Sequence, residues 1–372
     1  MEYRTMDNIG AKTSLLGFGC MRFPTNADGS INEELALDML DRAYHAGVNY
    51  FDTAYPYHGG KSEPVTGMAL DRYPRDSYYL ATKLPIWEVK TLEDVDRIFH
   101  EQLERLHKDY VDFYLIHALN KDRWELIKKL GILEYCEKLR YFGFSFHDDY
   151  EVFREIITSY HWDFCQIQLN YMDKDTQATL KGVELAESLG IPMVIMEPVK
   201  GGSLAELPDD ITSIFRNIRP QASTPSWALR YVATFSNVKV VLSGMSNMEQ
   251  VEDNLKTFTD FEPLNEAEQE AVCQVADALH KRVKNGCTAC RYCMPCPAGV
   301  NIPGSFGVWN EYHIYGNLAD TQWCWTKEIP ESAKPKNCIK CGKCERVCPQ
   351  KIHIREDLVK VQEELDRVTA QV

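Results

Sequence analysis

Short runs of β-branched and aromatic residues alternate with amphipathic segments along the chain as far as Phe258. Eight of these runs predict β-strands that recur about every 30 residues, with helical patterns between them. The predicted strands are Leu16–Cys20, Val48–Asp52, Tyr78–Lys83, Val111–His117, Tyr141–Ser145, Phe164–Asn170, Met193–Met196 and Val238–Ser243. This rhythm is typical of an α/β fold, the (β/α)8 TIM barrel.

The first predicted helix shows how the pattern defines an element. Its apolar residues recur at helical spacing, two glutamates occupy its first turn, and Gly47 ends it. The apolar face consists of Leu35, Met39, Ala43 and Ala46.

Other segments depart from the repeat. Tyr3–Leu15, with an Asn-Ile-Gly turn, predicts a hairpin that closes the bottom of the barrel. Lys200–Thr224 is rich in Gly, Pro, Asp and Ser and is longer than an ordinary connection, which is typical of lids and binding loops. Asn265–Lys284 and Arg355–Val372 predict helices, and Ala298–Asn337 carries three tryptophans.

Eight cysteines form two runs near the end of the chain. The second run, Cys-x2-Cys-x2-Cys-x3-Cys-Pro, has the spacing with which bacterial ferredoxins hold a 4Fe-4S cluster, and the first run has one residue fewer before its fourth cysteine. Because the fourth cysteines of such runs cross over, we predict two 4Fe-4S clusters. The predicted ligands are Cys287, Cys290, Cys293 and Cys348 for one cluster, and Cys338, Cys341, Cys344 and Cys296 for the other.

Disulfide bonds and zinc binding are the alternative interpretations of these cysteines. A disulfide scaffold suits a shorter, secreted chain, whereas the N-terminus here is charged and lacks the apolar region of a signal peptide. Zinc ribbons use paired Cys-x2-Cys knuckles, whereas three cysteines at this spacing surround one corner of a cubane. The spacing therefore favours iron–sulfur clusters.

Length and charge limit the function classes. A chain of 372 residues exceeds the size at which one core usually stops growing. We therefore predict a barrel over residues 1–264, followed over residues 265–372 by a linker helix and a small ferredoxin-like domain with two clusters. The net charge of −14, without a basic run, argues against nucleic acid or an anionic membrane as partner. We expect a reducing, cytoplasmic location.

The strand ends carry the candidate chemistry, because catalytic groups of such barrels sit at the carboxyl ends of the strands. Those ends give Asp52, Lys83 and His117, with Tyr57 five residues after Asp52. Tyr57 could protonate a carbonyl oxygen if its pKa falls, which the Lys83 ammonium favours, while Asp52 holds the lysine and neutral His117 donates a hydrogen bond. The alternative is an ion pair and two core polar residues.

These residues lie in motifs that resemble the aldo-keto reductases. Asp52-Thr-Ala-Tyr-Pro-Tyr57 resembles that family's Asp-Thr-Ala-x-x-Tyr motif, and Ala-Thr-Lys83 and Tyr-Leu-Ile-His117 resemble its lysine and histidine stretches. Gly-Phe-Ser145 and a Gln-rich stretch from Gln166 resemble later family motifs. The tail resembles a subset of the family that carries an iron–sulfur domain. The resemblance implies an oxidoreductase that interconverts an aldehyde or ketone and its alcohol, with Tyr57 as the acid/base.

The resemblance also implies a nicotinamide cofactor, although no Gly-x-Gly-x-x-Gly fingerprint follows a strand. The implied contacts are Gly19, Cys20, Met21, Asp52, Ser145, Gln166, Met196, Ser243, Gly244, Met245, Ser246, Gln250 and Asn254. Phe146 follows Ser145 where many members have Asn, and Met196 replaces an aromatic residue. Gly244 and Gln250 replace basic residues that many members direct at the 2′-phosphate, which weakens the usual preference for NADPH. NADP is the expected cofactor, with NAD left open.

A hydride carries two electrons whereas each cluster passes one, so the presence of a barrel and two clusters in one chain needs an explanation. In the first hypothesis, the barrel works with NAD(P)H and the clusters exchange electrons with a partner or sense redox state. In the second, a ferredoxin-type partner feeds the barrel through the clusters, and a flavin such as FMN would favour this route. In the third, the clusters are structural staples and the barrel works alone or as a redox-dependent binding module.

Overall fold

The computed structural model describes residues 1–136 and 138–370, and its first part is a closed parallel barrel. The eight barrel strands are β3 (Leu16–Gly19), β4 (Tyr50–Asp52), β5 (Tyr79–Leu84), β6 (Phe113–Leu119), β7 (Tyr141–Phe146), β8 (Phe164–Gln168), β9 (Met193–Met196) and β10 (Val238–Ser243). Each strand pairs in parallel with the next, and β10 closes the barrel against β3. The predicted TIM barrel is confirmed.

All eight predicted strands are present. Met193–Met196 and Val238–Ser243 have the predicted bounds, and the other strands differ by one or two residues at one or both ends. The ends shift because pairing across the barrel, not residue preference, decides where a strand stops. At the start of the second barrel strand, for example, Val48 is buried but unpaired, and the pairing begins at Tyr50.

A hairpin precedes the barrel, as predicted. Its strands β1 (Tyr3–Met6) and β2 (Ala11–Ser14) pair antiparallel. Met6 and Ala11 are fully buried and belong to a cluster with residues that point inward from the barrel strands. Those residues are Tyr50, Ala81, Phe113, Leu115, Phe164, Val194, Val240 and Leu242. The hairpin therefore covers the end of the barrel interior that lies opposite the strands' carboxyl ends.

The helices between the barrel strands are α1 (Glu33–His45), α2 (Ser62–Leu70), α3 (Leu92–Leu106), α4 (Lys121–Leu130), α5 (Ile132–Cys136), α6 (Tyr150–Ser159) and α7 (Thr179–Ser188). They are followed by α8 (Asp209–Ile218), α9 (Thr224–Ala233), α10 (Met248–Thr259) and α11 (Glu266–His280). In α1, Asn32 caps the N-terminus by accepting from the backbone N–H of Leu35. Met39 and Ala43 of the predicted face are buried, whereas Leu35 and Ala46 are only partly buried.

The chain divides into two compact units. The first consists of Met1–Gly201 and Pro225–Gln269, and the second of Gly202–Thr224 and Glu270–Val372. In the part of the chain that is described, no helix has both the length and the apolar character needed to cross a bilayer.

The second unit contains α8, α12 (Ile302–Tyr315), α13 (Leu318–Trp323), α14 (Lys343–Val347) and α15 (Ile354–Thr369). Its core includes two tryptophans of the segment between the cysteine runs, Trp309 and Trp325, each of which donates its indole N–H to an acidic residue of α15. The acceptors are Glu364 at 2.7 Å and Asp366 at 2.9 Å. These tryptophans therefore act as core residues.

The long segment Lys200–Thr224 is not a structureless loop, because it contains α8. Pro208 precedes this helix, Asp209 and Asp210 lie in its first turn, and Ile211 and Phe215 bury one face at four-residue spacing. The Gly- and Pro-rich composition of the flanking residues hid this short amphipathic pattern.

Candidate active site and cysteine-lined cavities

The four residues singled out at the strand ends come together at one end of the barrel. Asp52 ends β4, Lys83 lies in β5, His117 lies in β6, and Tyr57 opens a short 3₁₀ turn after β4. The ring centroids of Tyr57 and His117 are 5.9 Å apart, and the Lys83 Nζ atom lies 3.4 Å from the Tyr57 hydroxyl. The parallel barrel brings them together, because its strands all end at the same rim.

Lys83 is the centre of this group. Its Nζ atom donates to Asp52 Oδ1 at 2.5 Å and to the carbonyl oxygen of Thr53 at 2.8 Å, and Gln166 Nε2 donates to Asp52 Oδ2 at 3.3 Å. Only 1% of the lysine side chain and 4% of the aspartate side chain are exposed. Burial works to lower the pKa of Lys83, but Asp52 and Tyr57 together raise it above its usual value. The ammonium is therefore held in its charged form.

Tyr57 experiences two opposing effects. Burial raises the pKa of its hydroxyl above the usual value, whereas the nearby Lys83 ammonium lowers it. Burial is the larger effect, so the net direction is upward, contrary to the expected fall. The Lys83 ammonium acts in the expected direction, but the protein alone holds Tyr57 in its protonated form.

His117 is neutral. Burial lowers its pKa to about 2, and the positive charges of Lys83 and Arg123 add to this effect. Its Nδ1 atom is buried and has no hydrogen-bond partner among the described residues. The indole of Trp87 lies against the imidazole, with ring centroids 5.1 Å apart, and the Arg123 guanidinium lies 5.0 Å from the Trp87 ring centroid. A neutral imidazole with a free ring nitrogen at this rim can hydrogen-bond a ligand.

A second buried network lies behind Lys83, and the sequence analysis missed it. Gln102 of α3 is fully buried and donates to Glu63 Oε1 at 2.8 Å, to Thr82 Oγ1 at 3.0 Å and to the carbonyl oxygen of Lys83 at 3.0 Å. Its Oε1 atom accepts from the Tyr114 hydroxyl at 2.7 Å. Gln102 therefore fixes the backbone of the strand that carries Lys83. The signal was a polar residue at helical spacing with Val95, Ile98 and Leu106, on the buried face of α3.

Three residues with strained backbone lie at this rim of the barrel. His58, Ala118 and Glu197 have positive φ angles of 51°, 52° and 56°, which are uncommon for residues other than glycine. Each follows directly on a residue already singled out, Tyr57, His117 or Met196. The backbone N–H of Ala118 donates to Ser145 Oγ at 2.7 Å, which holds the turn after His117. Strain of this kind persists where the surrounding structure fixes the chain, and it is common at functional sites.

The residues implied as nicotinamide contacts lie at the same rim. Gly19, Met196 and Ser243 end strands β3, β9 and β10, and Ser145 lies next to the end of β7. Gln166 lies two residues before the end of β8, and its amide reaches Asp52. Ser145 and Gln166 are buried, as is Gln168, whose Oε1 atom has no partner among the described residues. After β10, Asn254 Nδ2 donates to Ser243 Oγ at 2.7 Å, and Gln250 Oε1 accepts from the backbone N–H of Ser246 at 2.8 Å.

These residues fit a nicotinamide nucleotide. The buried amide side chains and the free acceptor on Gln168 supply polar groups at the rim for a carboxamide. At Gly19, a Cβ atom would lie 3.3 Å from the Ser243 carbonyl oxygen, a tight contact that glycine avoids.

Arg22 was not predicted as a site residue. Its side chain lies over Gly244, where an added Cβ would come within 2.8 Å of Arg22 Cγ. Gly244 thus makes room for the arginine from the loop after β3. No carboxylate of the described chain pairs with the guanidinium. No local signal in the sequence connects these two positions.

The eight clustered cysteines line two cavities in the second unit. The first is lined by Cys287, Cys290 and Cys293 together with Cys348 from the other run. The second is lined by Cys338, Cys341 and Cys344 together with Cys296, and Cys293 also reaches it. Each cavity thus brings together the four cysteines predicted for one cluster, including the crossed-over fourth.

The donor set suits an iron–sulfur cluster better than a zinc ion. Four thiols surround each cavity, with apolar residues such as Ile302, Pro303 and Phe306 completing the wall of the first. Among residues 1–136 and 138–370, no three Cys, His, Asp or Glu side chains converge closely enough to ligate one metal ion. The spread of the thiols around a larger space fits a cubane, with iron atoms between the sulfurs.

Comparisons with known proteins agree with both halves of the molecule. A model of the aldo/keto reductase family matches residues 15–277, and a model of the 4Fe-4S dicluster domain matches residues 286–352. The chain is 27% identical over 311 residues to L-galactose dehydrogenase of Arabidopsis thaliana, an alignment that covers 77% of this chain and 96% of the relative.

Two further relatives show the same pattern. NADH-specific methylglyoxal reductase of Escherichia coli is 23% identical over 325 residues, which covers 74% of this chain and 97% of the relative. A solved structure, the holo form of an aldo-keto reductase from Bacillus halodurans, has a TM-score of 0.62 at 25% identity and covers 74% of this chain and 96% of that one. All three similarities leave about a quarter of this chain uncovered.

Proposed function

The chain belongs to the aldo/keto reductase family and carries a 4Fe-4S dicluster domain, and from this premise we propose that its barrel reduces an aldehyde or ketone with NAD(P)H, or oxidises the corresponding alcohol. The family makes the protein an oxidoreductase that acts on a small molecule. The observation that carries the proposal is the assembled group of Asp52, Tyr57, Lys83 and His117, with the Lys83 ammonium buried 3.4 Å from the Tyr57 hydroxyl.

Each of the four residues has a distinct role in this proposal. Tyr57 gives its proton to the carbonyl oxygen during reduction and takes it back during oxidation. Lys83 stabilises the phenolate that forms at that moment, and Asp52 holds the ammonium in place. Neutral His117 donates a hydrogen bond to the carbonyl oxygen and orients it. A bound nicotinamide would supply or accept the hydride.

The proposed cofactor contacts follow the rim of the barrel. Ser145 and Gln166 would hold the carboxamide, with Met196 against the nicotinamide ring, and Asp52 would lie close to both. Gly19, Cys20 and Met21 would lie near the pyrophosphate. The adenosine end would contact Ser243, Gly244, Met245, Ser246, Gln250 and Asn254.

We propose NADP as the cofactor. We also propose that Arg22 supplies the positive charge that Gly244 and Gln250 do not. The support is the position of Arg22 over Gly244, where many family members carry a basic residue themselves. Arg22→Ala should weaken NADPH binding about tenfold, the loss expected for one charge-assisted hydrogen bond. Fluorescence titration of NADPH and NADH separates the cases: a loss for NADPH alone places Arg22 at the 2′-phosphate, and an equal loss for both places it at the pyrophosphate.

In the cysteine-rich unit, we propose two 4Fe-4S clusters. Cys287, Cys290, Cys293 and Cys348 would bind one, and Cys338, Cys341, Cys344 and Cys296 the other, as the lining of the two cavities supports. We also retain a domain division at residues 1–264 and 265–372 and a cytoplasmic location, because such clusters need a reducing environment. We favour clusters that exchange electrons with a partner or sense redox state, and a ferredoxin-type partner that feeds the barrel is the second candidate.

Anaerobic stopped-flow mixing with NADPH or NADH tests the proposal. Turnover of an aldehyde while the cluster absorbance stays oxidised supports an independent reductase barrel. Bleaching of the clusters at the catalytic rate, together with bound flavin, would instead support a barrel fed with single electrons. Failure of every aldehyde, ketone and alcohol to react with either nucleotide would refute the reductase assignment.

A further inference from the structure

One segment around the cysteines has the opposite charge from the rest of the molecule. The whole chain has a net charge of −14. Residues 334–355, which contain the second cysteine run, carry seven basic residues and one acidic residue, Glu345. The basic residues are Lys334, Lys336, Lys340, Lys343, Arg346, Lys351 and Arg355. This local charge has to be explained by something that the segment contacts.

Internal ion pairs account for only part of it. Lys334 and Lys336 both pair with Glu331, and Arg355 pairs with Glu345 at 2.7 Å. Four basic side chains are exposed and have no carboxylate within ion-pair distance in the described part of the chain. They are Lys340, Lys343, Arg346 and Lys351.

Three of these charges, Lys340, Lys343 and Arg346, lie beside residues that line the second cavity. Lys340 and Lys343 flank Cys341, which is exposed. The guanidiniums of Arg346 and Arg355 both lie close to the backbone of Gly342, which lines the cavity, since each has an atom 3.7 Å from the position of an added Cβ. The unpaired charge is therefore concentrated where the cluster would come nearest to solvent.

Large apolar side chains are exposed among these charges. Ile339, between Cys338 and Cys341, is 66% exposed although it lines the cavity, and Val347, next to Cys348, is 44% exposed. Exposed apolar residues within a ring of one sign of charge are typical of a protein interface.

We propose that this surface, which we call the basic rim (Ile339, Lys340, Lys343, Arg346 and Val347), docks an acidic one-electron carrier protein. The inference rests on the proposed clusters. One electron passes from the reduced carrier to the oxidised cluster, or in the reverse direction when the cluster is reduced. The basic side chains attract the carrier's carboxylates and accelerate encounter, and the apolar pair makes the short-range contact.

Another role for the basic residues is to offset the negative charge that four thiolates bring to a cluster. Arg355 suits that role, because it lines the cavity and is already paired with Glu345. Lys340, Lys343 and Arg346 suit it less, because none of them lines the cavity and all three are exposed without a carboxylate partner among the described residues, so solvent and salt screen their attraction to the cluster. The two roles differ in what they predict for a large acidic donor and a small cationic one.

The test uses the anaerobic holoprotein with two electron donors, a reduced plant-type ferredoxin as the acidic carrier and the methyl viologen radical as a small cation. The variant of the basic rim is Lys340→Glu/Lys343→Glu/Arg346→Glu. Its matched control is Lys121→Glu/Lys129→Glu/Lys181→Glu, which makes the same change in net charge at exposed barrel positions. Stopped-flow absorbance follows cluster reduction at rising salt concentration.

We expect the rim variant to lose about tenfold or more of the ferredoxin rate at low salt, and to lose its salt dependence, while the viologen rate is not reduced. The control should keep the wild-type ferredoxin rate within about twofold. If the charge reversal costs cluster content, Lys340→Gln/Lys343→Gln/Arg346→Gln replaces it, with a smaller loss expected.

Two results would overturn the proposal. One is a rim variant that retains the wild-type ferredoxin rate and salt dependence. The other is a basic-rim variant whose cluster is reduced more slowly by ferredoxin and by viologen to the same extent, and whose cluster potential is shifted. That result would mean that the basic residues act on the cluster alone. Turnover of aldehyde with NADPH, measured in the same preparations, reports on the barrel separately, so failure of the docking proposal is distinguishable from failure of the proposed reductase.

Discussion

The barrel rim and the cysteine cavities satisfy their polar groups in opposite ways. At the rim, protein groups hold one another: Lys83 donates to Asp52, Thr53 and Tyr57, and Gln102 fixes the strand beneath it. In the cavities, cysteines of both runs line each space, and a bound cluster would add bonds between the two runs. The ion pair at the rim is thus held by the protein itself, with His117 Nδ1 and Gln168 Oε1 left without a partner among the described residues, whereas we expect the second unit to depend on its cofactor.

The hydrophobic cores show the same contrast. The main barrel core lies between the sheet and its helices, and Asp52, Tyr57, Lys83 and His117 are not among its residues. In the second unit, Ile302, Phe306 and Ile354 belong both to the core and to the wall of the first cavity. A core that shares its residues with a cofactor cavity cannot close when the cofactor leaves. Where the site and the core are separate, we expect that the proposed proton donor can be replaced without unfolding, and where they share residues, we expect that loss of the cofactor also disrupts the core.

Removal of the clusters should have the largest effect. Oxidation and chelation of iron should unfold the second unit while the barrel stays folded, because metal binding and folding are coupled in small metal domains. Hydrogen exchange mass spectrometry should show loss of protection in α12 and α15 but not in β3–β10. Cys324→Ala, which alters a cysteine outside both runs, should retain protection in both units. An apoprotein with α12 and α15 still protected would contradict this expectation.

Tyr57→Phe should abolish most turnover without unfolding anything. The substitution removes the proposed proton donor but fills the same space, so we expect a fall of ~10²–10⁴ in kcat with little change in nucleotide affinity. Tyr55→Phe, two residues earlier in the same turn, should stay near wild type, since its hydroxyl donates to Glu101 and to no other side chain of the described residues. Comparable losses in both variants would mean that the turn, not the Tyr57 hydroxyl, is what matters.

Lys83→Met should affect stability as well as rate. It leaves the Asp52 carboxylate buried without its cation, and breaking one partner of a buried pair costs about 3–5 kcal/mol. Denaturant unfolding of the barrel measures the loss. Asp52→Asn/Lys83→Met should recover a large part of it, because no buried charge remains. A double variant that is as unstable as Lys83→Met would show that the lysine acts through packing instead.

The positions of the four rim residues could be predicted from the sequence, because a parallel barrel places every strand end at one rim. Knowledge of the strand pattern was therefore enough to bring Asp52, Lys83 and His117 together. The spacing of the cysteines predicted in the same way that Cys348 lies with the first run and Cys296 with the second. In both cases, a local pattern fixes a long-range contact, since the architecture allows one arrangement.

Other features could not be predicted, because they depend on contacts between residues that share no pattern. Arg22 meets Gly244 only because the glycine lacks a side chain at a distant point of the chain. The net rise of the Tyr57 pKa depends on how deeply the hydroxyl is buried, which a sequence does not specify. Helix α8 is signalled only by the spacing of Ile211 and Phe215, while the Gly- and Pro-containing residues around it favour a loop.

The smallest effect that we expect concerns His117 and tests whether the folded rim keeps it neutral. Its pKa is about 2 in the folded protein, against about 6.5 when unfolded, so only the unfolded chain gains a proton as pH falls below about 6.5. This histidine therefore costs no stability at about pH 7 and destabilises the barrel increasingly towards about pH 5. His117→Gln should remove this pH dependence of stability. As the pH falls, the melting temperature of the variant should therefore rise relative to that of the wild type. His100→Gln, at an exposed position of α3, controls for the loss of a histidine. Parallel curves for wild type and His117→Gln would mean that the native state takes up the proton, and an imidazolium at the rim would compete with Tyr57 as the proton donor.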